Sequence, residues 1–332
     1  MARPTDIPLV ARTEQVQAIR AVLERGRAGL PGTLLLSGDA GVGKTRLVEE
    51  AMSLASAGGA CVLVGHCLDL GEVGLPYLPF AEALSHLQEA AAAEPDGAVA
   101  RALAGRPALS RLLGHGDGAP SGVDDVSRLQ LFDAVGGLLT DLAASHGLVL
   151  LVLEDLHWAD QSTRDLMRFL VARARDQHVV VLGTYRADDL HRRHPLRPML
   201  AELFRHPTVE RLEVPPFTEA ELREFVETVT TGGVPEREVR QVMQRSEGNA
   251  YFAEELLESG AADGALPDSL SDVLLARVER LDPQVQELTR VASVAGRRVS
   301  EALLRAVTDL SPEQVDDALR EAVAHHALVP VD

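Results

Sequence analysis

Thr33-Leu34-Leu35-Leu36-Ser37-Gly38-Asp39-Ala40-Gly41-Val42-Gly43-Lys44-Thr45 decides the fold. The aliphatic run before Gly38 predicts a buried strand, and the apolar spacing from Lys44 to Ala57 predicts a helix. Between them lies a glycine-rich turn, so Gly38-x4-Gly43-Lys44-Thr45 matches the P-loop pattern in the strand–turn–helix setting it requires. Glycines admit backbone conformations that other residues resist. The N–H groups of such a turn point inward, and the helix starting at Lys44 adds its positive dipole end. This is a cradle for phosphate oxygens, with Gly38, Asp39, Ala40, Gly41, Val42, Gly43, Lys44, Thr45 and Arg46 as its lining. Lys44 is expected to bridge β- and γ-phosphates and the Thr45 hydroxyl to hold Mg²⁺.

Among 32 Lys and Arg residues, Lys44 is the only lysine. A GC-rich coding sequence accounts for arginine elsewhere. A compact ammonium on a thin stem slips between phosphates where a planar guanidinium fits poorly.

The rest of the composition sets bounds. A chain of 332 residues suggests about two or three domains. Hydrophobic residues make up 46%, enough for a core, and aromatics only 3%, which argues against a stacking platform for single-stranded nucleic acid. The net charge of -18 repels a phosphate backbone, so DNA binding is not expected of this chain itself. Cys61 and Cys67 are too few for a zinc site without His66 and a further ligand; a buried, reduced pair is expected. Residues 1–9 lack the pattern of a signal peptide. The longest aliphatic run, Leu148 to Leu153, is one strand and far short of a membrane span. A cytoplasmic protein with no membrane partner is expected.

Around the loop, helical spacing covers 14–25, 79–93 and 125–145, and further strands are predicted at 60–65, 148–153, 179–183 and 209–214. Cys67 to Phe80 is expected to be extended. Residues 94–124, rich in Gly, Pro, Ala and Asp, read as a partly helical, mobile insertion. Apolar strands separated by helices predict an α/β fold, a five-stranded parallel sheet flanked by helices. Helices are predicted at 219–228, 236–245 and 250–259, then a linker from Gly260 to Pro267 and a mainly helical unit to Asp332. Domains are expected at 1–216, 217–262 and 267–332. The ending Val329-Pro330-Val331-Asp332 follows a strand-like start and suggests a piece of a longer protein.

A phosphate loop calls for a carboxylate at the tip of a neighbouring strand and a group that orients water. The run Leu148–Leu153 ends in Glu154-Asp155, and acids at the carboxyl end of a parallel strand lie on the side of the loop. Glu154 and Asp155, with Thr45, are the expected metal ligands, and Asp155 the group that orients water. The fourth strand ends in Gly183-Thr184-Tyr185-Arg186, placing Arg186 to sense a terminal phosphate. Ser246-Glu247-Gly248-Asn249 is a turn between helices.

In this order the pieces resemble the STAND ATPases, signal-transduction ATPases with numerous domains, and most of all the ATPase module of the large ATP-binding LuxR-family regulators. Leu9-Val10-Ala11-Arg12-Thr13-Glu14 is similar to the family's N-terminal motif, usually written VGRE, with Ala11 and Thr13 where the family has Gly and Glu. Gly65-His66-Cys67 with Leu75 to Phe80, Leu153-Glu154-Asp155-Leu156-His157-Trp158-Ala159-Asp160, Thr184-Tyr185-Arg186, and Gly248-Asn249-Ala250-Tyr251-Phe252 with Glu254-Glu255-Leu256 look like its other motifs. The resemblance implies an AAA+-like core, a helical lid over 217–262 and a winged-helix-like domain over 267–332. It also places Val10 and Arg12 near the adenine and Arg186 on the terminal phosphate. Ala250 stands where the family usually has an adenine-contacting proline. The implied activity is an ATP/ADP switch with slow Mg²⁺-dependent hydrolysis in a multidomain transcription regulator. Self-association and regulatory domains are the implied partners, with DNA bound only through a helix-turn-helix outside this chain. Alternatives are a nucleotide-bound scaffold that does not hydrolyse, coupling to another effector such as a cyclase or kinase, and a housekeeping motor or phosphotransferase, for which no acceptor motif is visible.

Overall fold

A computed structural model describes residues 9–69, 75–112, 125–174, 177–230, 235–258, 275, 278–279, 281–295, 299–308, 310–324 and 327–328. The chain divides into two compact units, Met1–Pro215 and Pro216–Asp332.

The first unit is built on five parallel strands, β1 (Gly32–Gly38), β2 (Cys61–His66), β3 (Val149–Glu154), β4 (Val179–Arg186) and β5 (Val209–Glu213), in the order β2-β3-β4-β1-β5. Successive strand residues face opposite ways, and the aliphatic runs are apolar on both faces because both faces are covered. Leu34, Leu36, Leu150, Val152, Val180 and Leu182 pack with Ile19, Val22 and Leu23 of α1 (Thr13–Arg27) and Leu47, Val48 and Ala51 of α2 (Lys44–Ala57). Leu35, Leu151, Leu153 and Val181 belong to a second core with α3 (Leu78–Ala93), α5 (Asp125–His146), α6 (Gln161–Arg173) and α7 (Leu196–Leu203). Leu138, Leu142, Leu166 and Met199 are each fully buried there.

Several expectations change. The strand carrying the acids does not neighbour the phosphate-loop strand: β4 lies between β1 and β3. Hydropathy shows that a strand is buried on both faces but not which strands flank it. The fourth strand runs three residues beyond Gly183, so Thr184, Tyr185 and Arg186 are part of the sheet. The helical spacing over 79–93 is met by α3, which opens one residue earlier at Leu78, so the stretch expected to be extended from Cys67 stops short of Leu78-Pro79-Phe80; a proline in a helix's first turn loses only an N–H that has no helical acceptor. Gly65 explains the close fit of that helix start on β2, since a Cβ there would lie 1.8 Å from the Pro79 carbonyl oxygen. Helices α6 and α7, not assigned from the sequence, are present, and the Asp160 carboxylate caps α6 by accepting from the N–H groups of Ser162 and Thr163. In the expected insertion, α4 (Ala98–Ala104) and a 3₁₀ turn (Pro107–Arg111) place Ala102 and Leu109 in the core. Residues 113–124 lie outside the described residues, as do the linker from Gly260 to Pro267 and the end from Val329 to Asp332.

The second unit contains α8 (Glu219–Val229), α9 (Glu236–Ser246) and α10 (Ala250–Glu258). Thr218 and Glu221 form a capping box at the start of α8. The Gly-Asn turn has a local role: Glu247 and Gly248 take left-handed φ values of 51° and 83°, and the Asn249 carbonyl Oδ1 accepts the Phe252 N–H at 3.3 Å. Helices at Pro283–Ala295, Glu301–Val307 and Pro312–Ala324 share a separate apolar cluster centred on Val285, Leu288, Leu304 and Val315. Among the described residues no helix is long and apolar enough to cross a membrane.

Candidate functional site

Parallel pairing brings the strand ends into line. Gly38 at the end of β1 stands opposite Arg186 at the end of β4, Leu153 opposite Gly183, and Glu154 opposite His66. The loop Gly38–Gly43 leaves the sheet at this edge, where open α/β sheets form their binding crevice. Gly43 has φ 100°, a backbone state that resists side chains and turns the chain into α2.

Lys44 is buried, with 8% of its surface exposed, and its ammonium donates to the carbonyls of Gly38 and Asp39, both at 2.8 Å. The loop therefore closes on its own lysine. Burial pushes the Lys44 pKa below the usual lysine value; Asp188 opposes that most strongly, the Arg186 charge adds to it, and Asp155 and Asp39 oppose it. An ammonium held at such a desolvation cost is poised to gain from an arriving polyanion. The buried Asp188 was not singled out from the sequence; its only signal there is its place two residues after Arg186.

The N-terminal motif braces the loop. Arg12 is buried and donates from Nη2 to the Val42 carbonyl at 3.0 Å; Val10 is buried as well. Ala11 between them has φ 52°, in the left-handed region. That conformation costs an L-residue roughly 1–2 kcal/mol, against which glycine's greater unfolded freedom offsets part. Ala11→Gly is therefore expected to stabilise the chain by about 0.5–1 kcal/mol, read as a raised denaturation midpoint with unchanged slope. A midpoint that stays put or falls would contradict the strain.

On the acidic side, Thr45 donates from its hydroxyl to Glu154 Oε2 at 3.3 Å, so the loop helix and the β3 tip meet although their strands do not. Burial pushes the Glu154 carboxyl above the usual range, while His66 and the Thr45 hydroxyl pull it back and Asp155 pushes it further up. His66 Nε2 lies 3.6 Å from Glu154 Oε1, and its other ring nitrogen lies 2.8 Å from Glu82 Oε1; Glu82 also accepts the His66 backbone N–H at 2.7 Å. Glu82 was likewise not found from sequence, because α3 must fold against β2 to bring it there. Asp155 has φ 55° and donates its backbone N–H to the Thr184 hydroxyl at 3.0 Å. Aspartate tolerates this left-handed state better than most residues.

Next to it, His157 is buried and receives the Arg186 backbone N–H on Nδ1 at 3.4 Å. Arg46, by contrast, pairs with Glu49 along α2 at 2.9 Å. Burial pushes the Cys67 thiol up to about 12, with Asp155, Asp160 and Glu82 adding to it, and burial also raises Cys61. Both cysteines are free, and among the described residues no three His, Cys, Asp or Glu groups are placed to hold a metal ion. Thr45 and Glu154 are nonetheless adjacent hard oxygen donors, which suits Mg²⁺ shared with a nucleotide's phosphates rather than caged by protein alone.

A family model described as "AAA ATPase domain" matches residues 8–182, just over half of the chain. The chain is 27% identical to an uncharacterized protein of Rhizobium meliloti (strain 1021) over 90% of its own length and spans 31%, about a third, of that protein. Among solved structures it is similar to the Walker-type ATPase PABY2304 of Pyrococcus abyssi, with a TM-score of 0.62, 15% identity, and coverage of 96% of this chain and 90% of that one.

Proposed function

From the premise that this chain belongs to the AAA ATPase domain family, we propose that it is an ATP/ADP switch with slow Mg²⁺-dependent hydrolysis, the regulatory module of a larger, multidomain LuxR-type transcription regulator. The observation that carries the reading is the one buried ammonium, Lys44, folded into its own loop beside the Thr45–Glu154 contact, with Gly38 at the start of that loop in register with Arg186. Gly38 to Thr45 would grip the phosphates, with Arg46 in the first turn of the same helix. Val10 and Arg12 would flank the adenine, a role to which Arg12 adds its brace on Val42. Thr45, Glu154 and Asp155 would hold Mg²⁺, which when bound neutralises charge building on the transferred phosphoryl group. Asp155 would orient the attacking water, and Arg186 would contact the terminal phosphate.

The multidomain setting is supported by the relative that is about three times the length of this chain. Residues 217–262 would act as a lid and 267–332 as a winged-helix-like domain, and the helical character of the described residues in both is compatible with that. DNA would be bound only by a domain outside this chain, the module itself being acidic. A switch needs long-lived nucleotide states. Steady-state turnover by the chain alone is therefore expected to lie well below the ~1–100 s⁻¹ of housekeeping phosphoryl-transfer enzymes. Released nucleotide after long incubation with Mg²⁺ should be mainly ADP. Fast unassisted turnover would overturn the switch, and ATP recovered intact would leave a scaffold.

A further inference from the structure

We propose that Asp189, together with the face of Trp158, is a rest station for Arg186, and that this station sets how strongly the chain prefers ATP over ADP. The proposal rests on the reading of Arg186 as the terminal-phosphate contact. Backbone register places Arg186 beside Gly38, the first residue of the phosphate loop. Its side chain is already engaged there: Nη1 lies 3.9 Å from Asp189 Oδ2, and the guanidinium carbon lies 5.2 Å from the centre of the Trp158 ring. Both contacts are of the kind that hold a guanidinium weakly, one by charge and one by the negative face of the indole.

His157 packs against the station. This ring is buried in the core and its centre lies 4.6 Å from that of Trp158. Its Nδ1 accepts the Arg186 backbone N–H, which leaves the hydrogen on Nε2, and Nε2 faces the same Asp189 Oδ2 at 3.4 Å. Asp155 Oδ1 is 3.8 Å from the Nδ1 side. One imidazole therefore touches Trp158, Asp189 and the backbone of Arg186 at the edge where the phosphate loop begins. Side chains of Arg186 and Asp189 remain about a quarter exposed, at 25% and 26%, so the guanidinium is free to exchange partners.

The consequence follows from competition. A guanidinium turned toward a terminal phosphate gives up Asp189, and only ATP brings that phosphate. Asp189 thus opposes ATP and leaves ADP alone, which makes it a positioning residue that lowers discrimination to a set level. A ligand shifts such an equilibrium only by its differential interaction with the two arrangements.

The test is a double-mutant cycle by titration calorimetry on the full chain, with ADP and with the non-hydrolysable β,γ-methylene analogue of ATP. Asp189→Asn keeps the shape but removes the charge. It is expected to tighten analogue binding about two- to fivefold and leave ADP unchanged, as for a partly exposed ion pair. In an Arg186→Ala background the same substitution should do nothing. Equal tightening of both nucleotides, or the same gain without Arg186, would mean a general field effect and overturn the station. If Arg186→Ala removes the preference for the analogue but Asp189→Asn does not enlarge it, Asp189 alone loses its role. If Arg186→Ala leaves the preference intact, the phosphate contact is wrong and the station falls with it. Trp158, the sole tryptophan, gives an independent optical readout. Its emission should change on binding the analogue and not ADP; an equal change with both would overturn the release of Arg186.

Discussion

Replacing Lys44 by alanine is expected to weaken ATP binding by about two to four orders of magnitude while leaving the nucleotide-free fold intact. The size follows from the loss of charge-assisted hydrogen bonds worth roughly 1.5–3 kcal/mol each, taken for two phosphate groups. The fold should survive because the ammonium is a costly guest: burial depresses its pKa, and its partners are the loop carbonyls of Gly38 and Asp39 rather than the apolar core. Two measurements separate binding from folding. Wild-type chain should gain thermal stability with ATP, by about 2.7 kcal/mol at a hundredfold excess over Kd, and the variant should gain almost none. The melting temperature without nucleotide should be unchanged or slightly higher. An ATP affinity within a few fold of wild type would remove the loop assignment, and with it the functional reading.

The second large effect is expected for Asp155→Asn, which should keep ATP binding and lower hydrolysis by about two to four orders of magnitude, the usual contribution of a positioned base. Asparagine is the informative replacement. It tolerates the left-handed backbone at this position and keeps the backbone N–H that Thr184 receives, so the tip of β3 should hold its shape. Alanine would mix loss of the carboxylate with strain. Single-turnover hydrolysis with Mg²⁺, alongside ATP affinity, decides the case. Unchanged turnover would pass the water-orienting role to Glu154, whose carboxyl is buried, raised in pKa and in contact with Thr45.

Buried residues alternate between the two cores along β1 and β3. Leu34 and Leu36 go to one core, Leu35 to the other, and the same split separates Leu150 and Val152 from Leu151 and Leu153. A stretch apolar at every position thus identified a strand covered on both faces, and its glycine-rich end identified the phosphate loop. Helix α2 begins at Lys44, as its spacing predicts. Those features are local: they depend on strand periodicity, on glycine's backbone freedom and on helix spacing, each of which is written into consecutive residues.

Strand neighbours, by contrast, depend on how connections cross, and identical apolar runs carry no address. Hence β4 between β1 and β3 could not be read, nor that Arg186 would stand opposite Gly38. Glu82, Asp188 and Asp189 are ordinary acids in an acidic chain until folding sets Glu82 on His66, buries Asp188 near Lys44, and brings Asp189 to His157 and Arg186. The amino-acid sequence by itself determined that this protein has a phosphate loop on a buried parallel strand and a second strand that ends in two acids. Only the tertiary structure decided which charges surround that loop, because electrostatic partners are chosen by distance in space and desolvation, neither of which has a period along the chain.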